Sequence, residues 1–249
     1  IYPEGGVRRL KYDSMGRLVK VIEPEQYDPQ TDDGPGYTYR YDAAGRLEEI
    51  VNPDGAVEKR YVYDLRGLVV KEISAEGCLT GDTDEARIGT MHRYNAAGWL
   101  LETREPVSRA EDGAVRYRLT QYAYDANGNR TEEKRFLSFQ DGESAKGSIH
   151  TLSFAYDKQN RLVRVSDGLG AVVRYQYDGL NRLIQETRLL AEGLPQIIHY
   201  RYDPAGRLIE VEQSADPEGC GERFASTRYE YDRNGNLTRI LLPAGGEVL

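Results

Sequence analysis

The stretch Tyr200-Arg201-Tyr202-Asp203-Pro204-Ala205-Gly206-Arg207-Leu208-Ile209-Glu210-Val211 decides the fold. Its first three residues alternate with the period of two that marks a strand, and Leu208–Val211 resumes the alternation after a break. Between them stand Asp203 and Gly206. An aspartate carboxylate accepts hydrogen bonds from N–H groups two or three residues on, and glycine adopts the positive φ that other residues resist. The segment therefore predicts two strands joined by a tight turn.

The pattern Tyr-Asp-x-x-Gly-Arg-Leu recurs along the chain, starting at Tyr12, Tyr41, Tyr63, Tyr94, Tyr124, Tyr156, Tyr177, Tyr202 and Tyr231. Asp13, Asp42, Asp64, Asp125, Asp157, Asp178, Asp203 and Asp232 follow the tyrosine. Gly16, Gly45, Gly67, Gly98, Gly128, Gly206 and Gly235 hold the glycine place. Asn160 and Asn181 replace glycine in two copies, and asparagine is the next most tolerant of left-handed backbone. A further aromatic precedes the motif tyrosine by two residues in seven of nine copies: Tyr39, Tyr61, Tyr122, Phe154, Tyr175, Tyr200 and Tyr229. Residues two apart on a strand share a face. Fifteen of the 19 tyrosines are thus expected in two rows on one side of the sheet, stacking with their equivalents on neighbouring strands.

A second turn closes each unit, as at Asn52-Pro53-Asp54-Gly55 and Ser166-Asp167-Gly168. Longer units place their extra residues there, at Gln26–Gly36, Ala75–Gly89, Val107–Gly113, Asp141–Ser148 and Ala215–Gly221. The expected fold is all-β: about eighteen antiparallel strands in a meander of hairpins, forming one array of nine repeats over residues 1–249. A ribbon of that many strands twists, so it is expected to coil, close or stack. No sustained 3.6-residue apolar stripe competes, and Ala75–Arg87 has room for one short helical turn.

Composition narrows the function. The 33 basic and 41 acidic residues leave a net charge of -8, which argues against nucleic-acid or membrane-surface partners. No apolar run reaches the roughly 20 residues of a membrane span. Cys78, Cys220 and three isolated histidines (His92, His150, His199) make no ligand set, so no metal or cofactor is expected. The motif aspartates come one per unit, whereas glycosidic carboxylates flank a bond at about 5–10 Å and calcium needs several converging oxygens. They are expected to cap turns. Arg17, Arg46, Arg161, Arg182 and Arg207 are expected to shape the turn edge by pairing with them. No catalytic constellation emerges, and no enzyme is expected.

These tyrosine–aspartate repeats resemble those of the RHS, or YD-repeat, proteins of bacteria along essentially the whole chain. Asn95 in the aspartate place, Trp99 in the arginine place and Arg130 in the leucine place depart from the pattern. The resemblance implies a long β-ribbon wound into a hollow shell that encloses a toxic C-terminal domain. Its partners would be the rest of that shell, the enclosed toxin, and a toxin complex or type VI secretion apparatus that delivers it outside the producing cell. The same repeats in animal teneurins imply an alternative, an adhesion or glycan- and protein-binding module. Pro3-Glu4-Gly5-Gly6-Val7 and Pro243-Ala244-Gly245-Gly246 look like the turn at Pro53, so the chain is expected to be a stretch of a longer array whose open strand edges favour self-association. With the aspartates as turn caps, a chelator is expected to leave the melting temperature unchanged; a lowered melting temperature would instead establish a structural metal.

Overall fold

The computed structural model describes residues 6–109, 111, 113–140, 150–189, 195–214, 223–243 and 247–248. In it Tyr202–Leu208 is a hairpin corner. The Asp203 N–H donates to the Arg207 carbonyl at 2.9 Å, the Gly206 N–H donates to the Asp203 carbonyl at 2.9 Å, and Gly206 has φ +85°. The extra residue this demands appears as a register shift just before the motif tyrosine, where Tyr202 faces Leu208 although Arg201 faces Glu210. Such a bulge also sharpens the local twist. The same shift occurs at Tyr12, Tyr41, Tyr63, Tyr94, Tyr156, Tyr177 and Tyr231. Asn160 and Asn181 take φ +59° and +64° in the glycine place.

The chain divides into two units, one of residues 1–121 with 136–147 and one of residues 122–135 with 148–249. In the first, strands β1 (Arg9–Tyr12), β2 (Leu18–Ile22), β3 (Tyr37–Tyr41), β4 (Leu47–Val51), β5 (Val57–Tyr63), β6 (Val69–Ser74), β7 (Thr90–Tyr94), β8 (Leu100–Arg109) and most of β9 (Val115–Tyr124) pair antiparallel in chain order. The second holds the start of β10 (Arg130–Gln140), then β11 (His150–Tyr156), β12 (Leu162–Asp167), β13 (Val172–Tyr177), β14 (Leu183–Leu189), β15 (Gln196–Tyr202), β16 (Leu208–Ser214), β17 (Arg223–Tyr231), β18 (Leu237–Leu241) and β19 (Glu247–Val248), again each antiparallel to the next. This is the all-β meander of hairpins.

Register corrects the expected tyrosine stacks. Tyr39, Phe154, Tyr200 and Tyr229 face Ile50, Val165, Val211 and Ile240 across their hairpins, while Tyr61 and Tyr175 face Glu72 and Glu186. Equivalent tyrosines sit on every second strand, roughly 9.6 Å apart at the usual strand spacing. Ring pairs need centroids within about 4.5–7 Å. The rows exist, but each of these six rings faces an aliphatic chain or a glutamate.

Burial is modest. In the first unit Val21, Ile22, Val51 and Ile73 are buried, as is a cluster of Tyr117, Leu119 and Phe136 with Met91 and Val115 against it; in the second, Ile197 and Ile198 are buried. The insertion after β6 opens with a single helical turn, α1 (Ala75–Cys78), whose first N–H groups are met by the Ser74 hydroxyl accepting from Gly77. The expected loop Val107–Gly113 is shorter than read. β8 continues to Arg109, which faces Val115, because both flanks can pair their backbones and a bulge absorbs Pro106. The turn read as Ser166-Asp167-Gly168 begins instead at Asp167 and takes its left-handed residue from Gly170, φ +101°. Asp141–Ser148, Ala215–Gly221 and Cys220 lie outside the described residues.

Glycine has two different uses here. A Cβ on Gly77 would lie 2.1 Å from the Ile88 carbonyl oxygen, while one on Gly55 would meet nothing within 4 Å but would strain a φ of +86°. Gly55→Ala is expected to cost about 1 kcal/mol and Gly77→Ala roughly 2–3 kcal/mol. Urea unfolding of both variants gives the comparison, and equal losses would show that the α1 loop yields to the methyl group.

Candidate functional site, the clasp between successive repeats

Each corner is tied first to itself. One oxygen of Asp42 accepts the N–H groups of Ala44 and Arg46, both at 2.9 Å, and the other accepts Nε of Arg46 at 2.7 Å. Asp157 and Asp178 repeat the arrangement with Arg161 and Arg182. Asp13 and Arg17 do so as well, and Asp203 bonds the N–H and Nε of Arg207. Where asparagine replaces the arginine, Asn129 and Asn236 donate their amides to Asp125 and Asp232 at 2.9 Å.

The same arginine then reaches the following repeat. The guanidinium carbons of Arg17, Arg46, Arg161, Arg182 and Arg207 lie 4.5–4.9 Å from the ring centroids of Tyr41, Tyr63, Tyr177, Tyr202 and Tyr231. Arg46, Arg161, Arg182 and Arg207 also donate through Nη1 to the backbone carbonyls of Asp64, Asp178, Asp203 and Asp232 at 3.1–3.4 Å. The tyrosine reaches back. The hydroxyls of Tyr41, Tyr63, Tyr177, Tyr202 and Tyr231 donate to the carbonyls of Leu18, Leu47, Leu162, Leu183 and Leu208 at 2.6–2.9 Å. Tyr94 and Tyr156 make the same bond to Val69 and Arg130. A guanidinium therefore fills the gap between tyrosine-bearing strands, bonded to one corner and stacked on the next ring.

The departures from the motif are repaired by neighbouring atoms. Copy three has Leu68 in the arginine place, and Arg66 bonds Asp64 instead, then donates to the Asn95 carbonyl at 2.6 Å. Asn95 still accepts the Trp99 N–H. Arg130, in the leucine place, lies 5.0 Å from the Phe154 ring, and Asn127 and Asn129 both donate to the Asn160 side chain. Sequence reasoning placed the arginines at the corner but missed their forward reach, since the next motif tyrosine lies 16 to 24 residues on; the recurring arginine between turn glycine and strand leucine was the available signal.

All eight motif carboxyls sit below the ordinary aspartate range. At Asp13, Asp42, Asp64, Asp178 and Asp203 the leading cause is the N–H four residues on, opposed by partial burial and helped by the arginine. At Asp125 and Asp232 the Asn129 and Asn236 amides lead. Burial is the largest influence on Asp157 and pushes it up, yet the Arg161 N–H and guanidinium outweigh it. Among the described residues no three His, Cys, Asp or Glu side chains converge as a metal site. His92 lies in β7 against Thr103 and Glu72, His150 opens β11, and His199 faces Glu212 across β15 and β16. Burial raises the Cys78 thiol, the opposite of an activated nucleophile.

Two predictions come from this geometry. The folded carboxyls titrate below their unfolded values, so their contribution is complete above the unfolded aspartate range and disappears as pH falls through the folded values. The melting temperature is expected to hold from about pH 7 to 5 and to drop below about pH 4; a decline starting near neutrality would assign the pH sensitivity to histidines. Arg182→Lys keeps the charge but loses the planar fork and ring contact, and is expected to lose on the order of 1 kcal/mol in urea unfolding.

Comparison with known proteins bears on this unit. The RHS Repeat family profile matches residues 27–57, 41–77 and 156–195. No curated relative matches the sequence. The crystal structure of TcdB2-TccC3-Cdc42 aligns with 95% of this chain at 17% identity and a TM-score of 0.49, and that of TcdB2-TccC3 with 95% at 17% and 0.47. The Photorhabdus luminescens Tc holotoxin pore aligns with 95% at 17% and 0.47. This chain spans 14% of each of those chains. Repeats of that family are thus matched in both units, and the same corner recurs on both sides of the matched segments.

Proposed function

We propose that this array is a structural wall segment of an RHS-type β-shell, which encloses a toxic segment of a longer chain and keeps it from the producing cell until delivery outside it. The clasp is the observation that supports the reading. A wall fails at its weakest seam, and here the seam between hairpins is closed at the corner as well as along the ladder. Each joint adds a phenol–carbonyl hydrogen bond, roughly 0.5–1.5 kcal/mol, and a guanidinium–ring contact, roughly 0.5–1 kcal/mol. Repeats joined only to their neighbours share such terms along the array, so one weak copy is held by those beside it.

The test uses the parent chain with the segment that follows the array. Limited proteolysis is expected to spare that segment in the native protein and to digest it after Tyr177→Leu and Tyr202→Leu together open two adjacent joints. A downstream segment cut at the same rate in both proteins would remove the enclosure reading and leave surface presentation, as in an adhesion module.

A further inference from the structure

Lysines on the strands are usually answered by a carboxylate. Lys11 and Lys20 share Asp33 at 3.0 and 2.8 Å, Lys59 pairs with Glu72 at 2.8 Å, and Lys134 pairs with Glu132 at 2.8 Å. A carboxylate beside an ammonium favours its charged form.

Lys71, on β6, is placed differently. It stands between Val62 of β5 and Met91 of β7, neither of which brings charge. The insertion after β6 folds back to it, but the Asp84 carboxylate of that loop is taken by Arg60, at 2.6 and 3.1 Å, and by Arg87 at 3.1 Å. The buried Glu102 nearby is taken by Arg93 and Arg104. What the loop offers Lys71 is backbone: Nζ donates to the carbonyls of Asp84 and Glu85, at 2.6 and 3.3 Å. Partial burial therefore pushes the Lys71 amine below the ordinary lysine range, opposed only in part by the charges of Asp84 and Glu85. The residue lines a cavity of about 380 Å³ together with Val62, Val70 and Met91. That volume and those apolar walls are those of a small-molecule pocket.

We propose that Lys71 is a carbonyl-capturing amine, which condenses with a small single-ring aldehyde held in this cavity. A neutral amine whose two N–H groups rest on carbonyls keeps its lone pair for attack, and a lysine freed of its proton by an apolar pocket is a nucleophile. Nζ bonds to the aldehyde carbon, and the π pair of the C=O bond moves to oxygen. Both amine hydrogens then leave with that oxygen as water, so that a C=N bond replaces C=O with no oxidant or reductant. The product carries at most one N–H, so the loop loses at least one of its two ties to β6. This rests on the cavity and the loop, and is independent of the enclosure reading.

The probe is salicylaldehyde, added to the 249-residue protein near neutral pH, trapped with borohydride and mapped by peptide mass analysis. Lys71 is expected to be labelled at least about tenfold faster than Lys59, since the neutral fraction grows tenfold for each unit by which a pKa is lower. The preference is expected to vanish in urea. Val62→Glu sets a carboxylate directly opposite Lys71, and Met91→Glu does so from the other neighbouring strand. Whichever variant keeps the melting transition should label at Lys71 about tenfold more slowly than the native protein. Equal labelling of Lys71 and Lys59 in the folded protein, a preference that survives in urea, or unaltered Lys71 labelling in a folded variant overturns the proposal.

Discussion

A guanidinium held between two corners is the contact on which the rest of this structure depends. A hairpin ladder by itself fixes neighbouring strands through backbone hydrogen bonds, which carry no information about which hairpin follows. The arginine adds that information. Its Nε is committed to the aspartate of its own turn, so its plane is aimed before the next repeat arrives, and the face it presents suits a phenol ring. The tyrosine completes the joint by donating to the first carbonyl of the preceding outgoing strand. Each residue of the motif thus serves two repeats at once, and changing one disturbs a pair.

This design accounts for the unusual composition. Tyrosine outnumbers phenylalanine because the ring must accept a cation on its face and donate a hydrogen bond from its tip. Aspartate at the turn holds two N–H groups and an arginine, which the longer glutamate would not place in the same way. Few side chains are fully buried, and several strand cations are met either by a glutamate within the strands, as Arg40 and Arg60 by Glu49, or by an aspartate from an insertion, as Lys11 and Lys20 by Asp33 and Arg60 by Asp84. The loops after β2 and β6 therefore belong to the electrostatics of the sheet as much as to its connections.

Much of the fold was legible because its causes are local. Asp203, Gly206 and the alternation on either side specify a hairpin within a dozen residues, and asparagine at positions 160 and 181 points to the same left-handed backbone as glycine. What misled was the tyrosine row. Spacing shows that Tyr39 and Tyr41 share a face, but not that the next row lies two strands away, beyond the reach of ring stacking. The length of β8 was misjudged for a similar reason: Pro106 and nearby polar residues look like a loop until pairing with β9 satisfies their backbone.

The sequence by itself determined the repeat, the corner and the strand-rich class, since turn capping, glycine backbone freedom and side-chain alternation act over a few bonds. Tertiary structure alone decided the partners across repeats: Arg182 with Tyr202, Tyr202 with the Leu183 carbonyl, and Asp33 with Lys20. Those contacts depend on strand order and register, and register is set by bulges and loop closure summed over the chain. A distance of 20 residues in sequence becomes a few ångströms only after every intervening turn has closed.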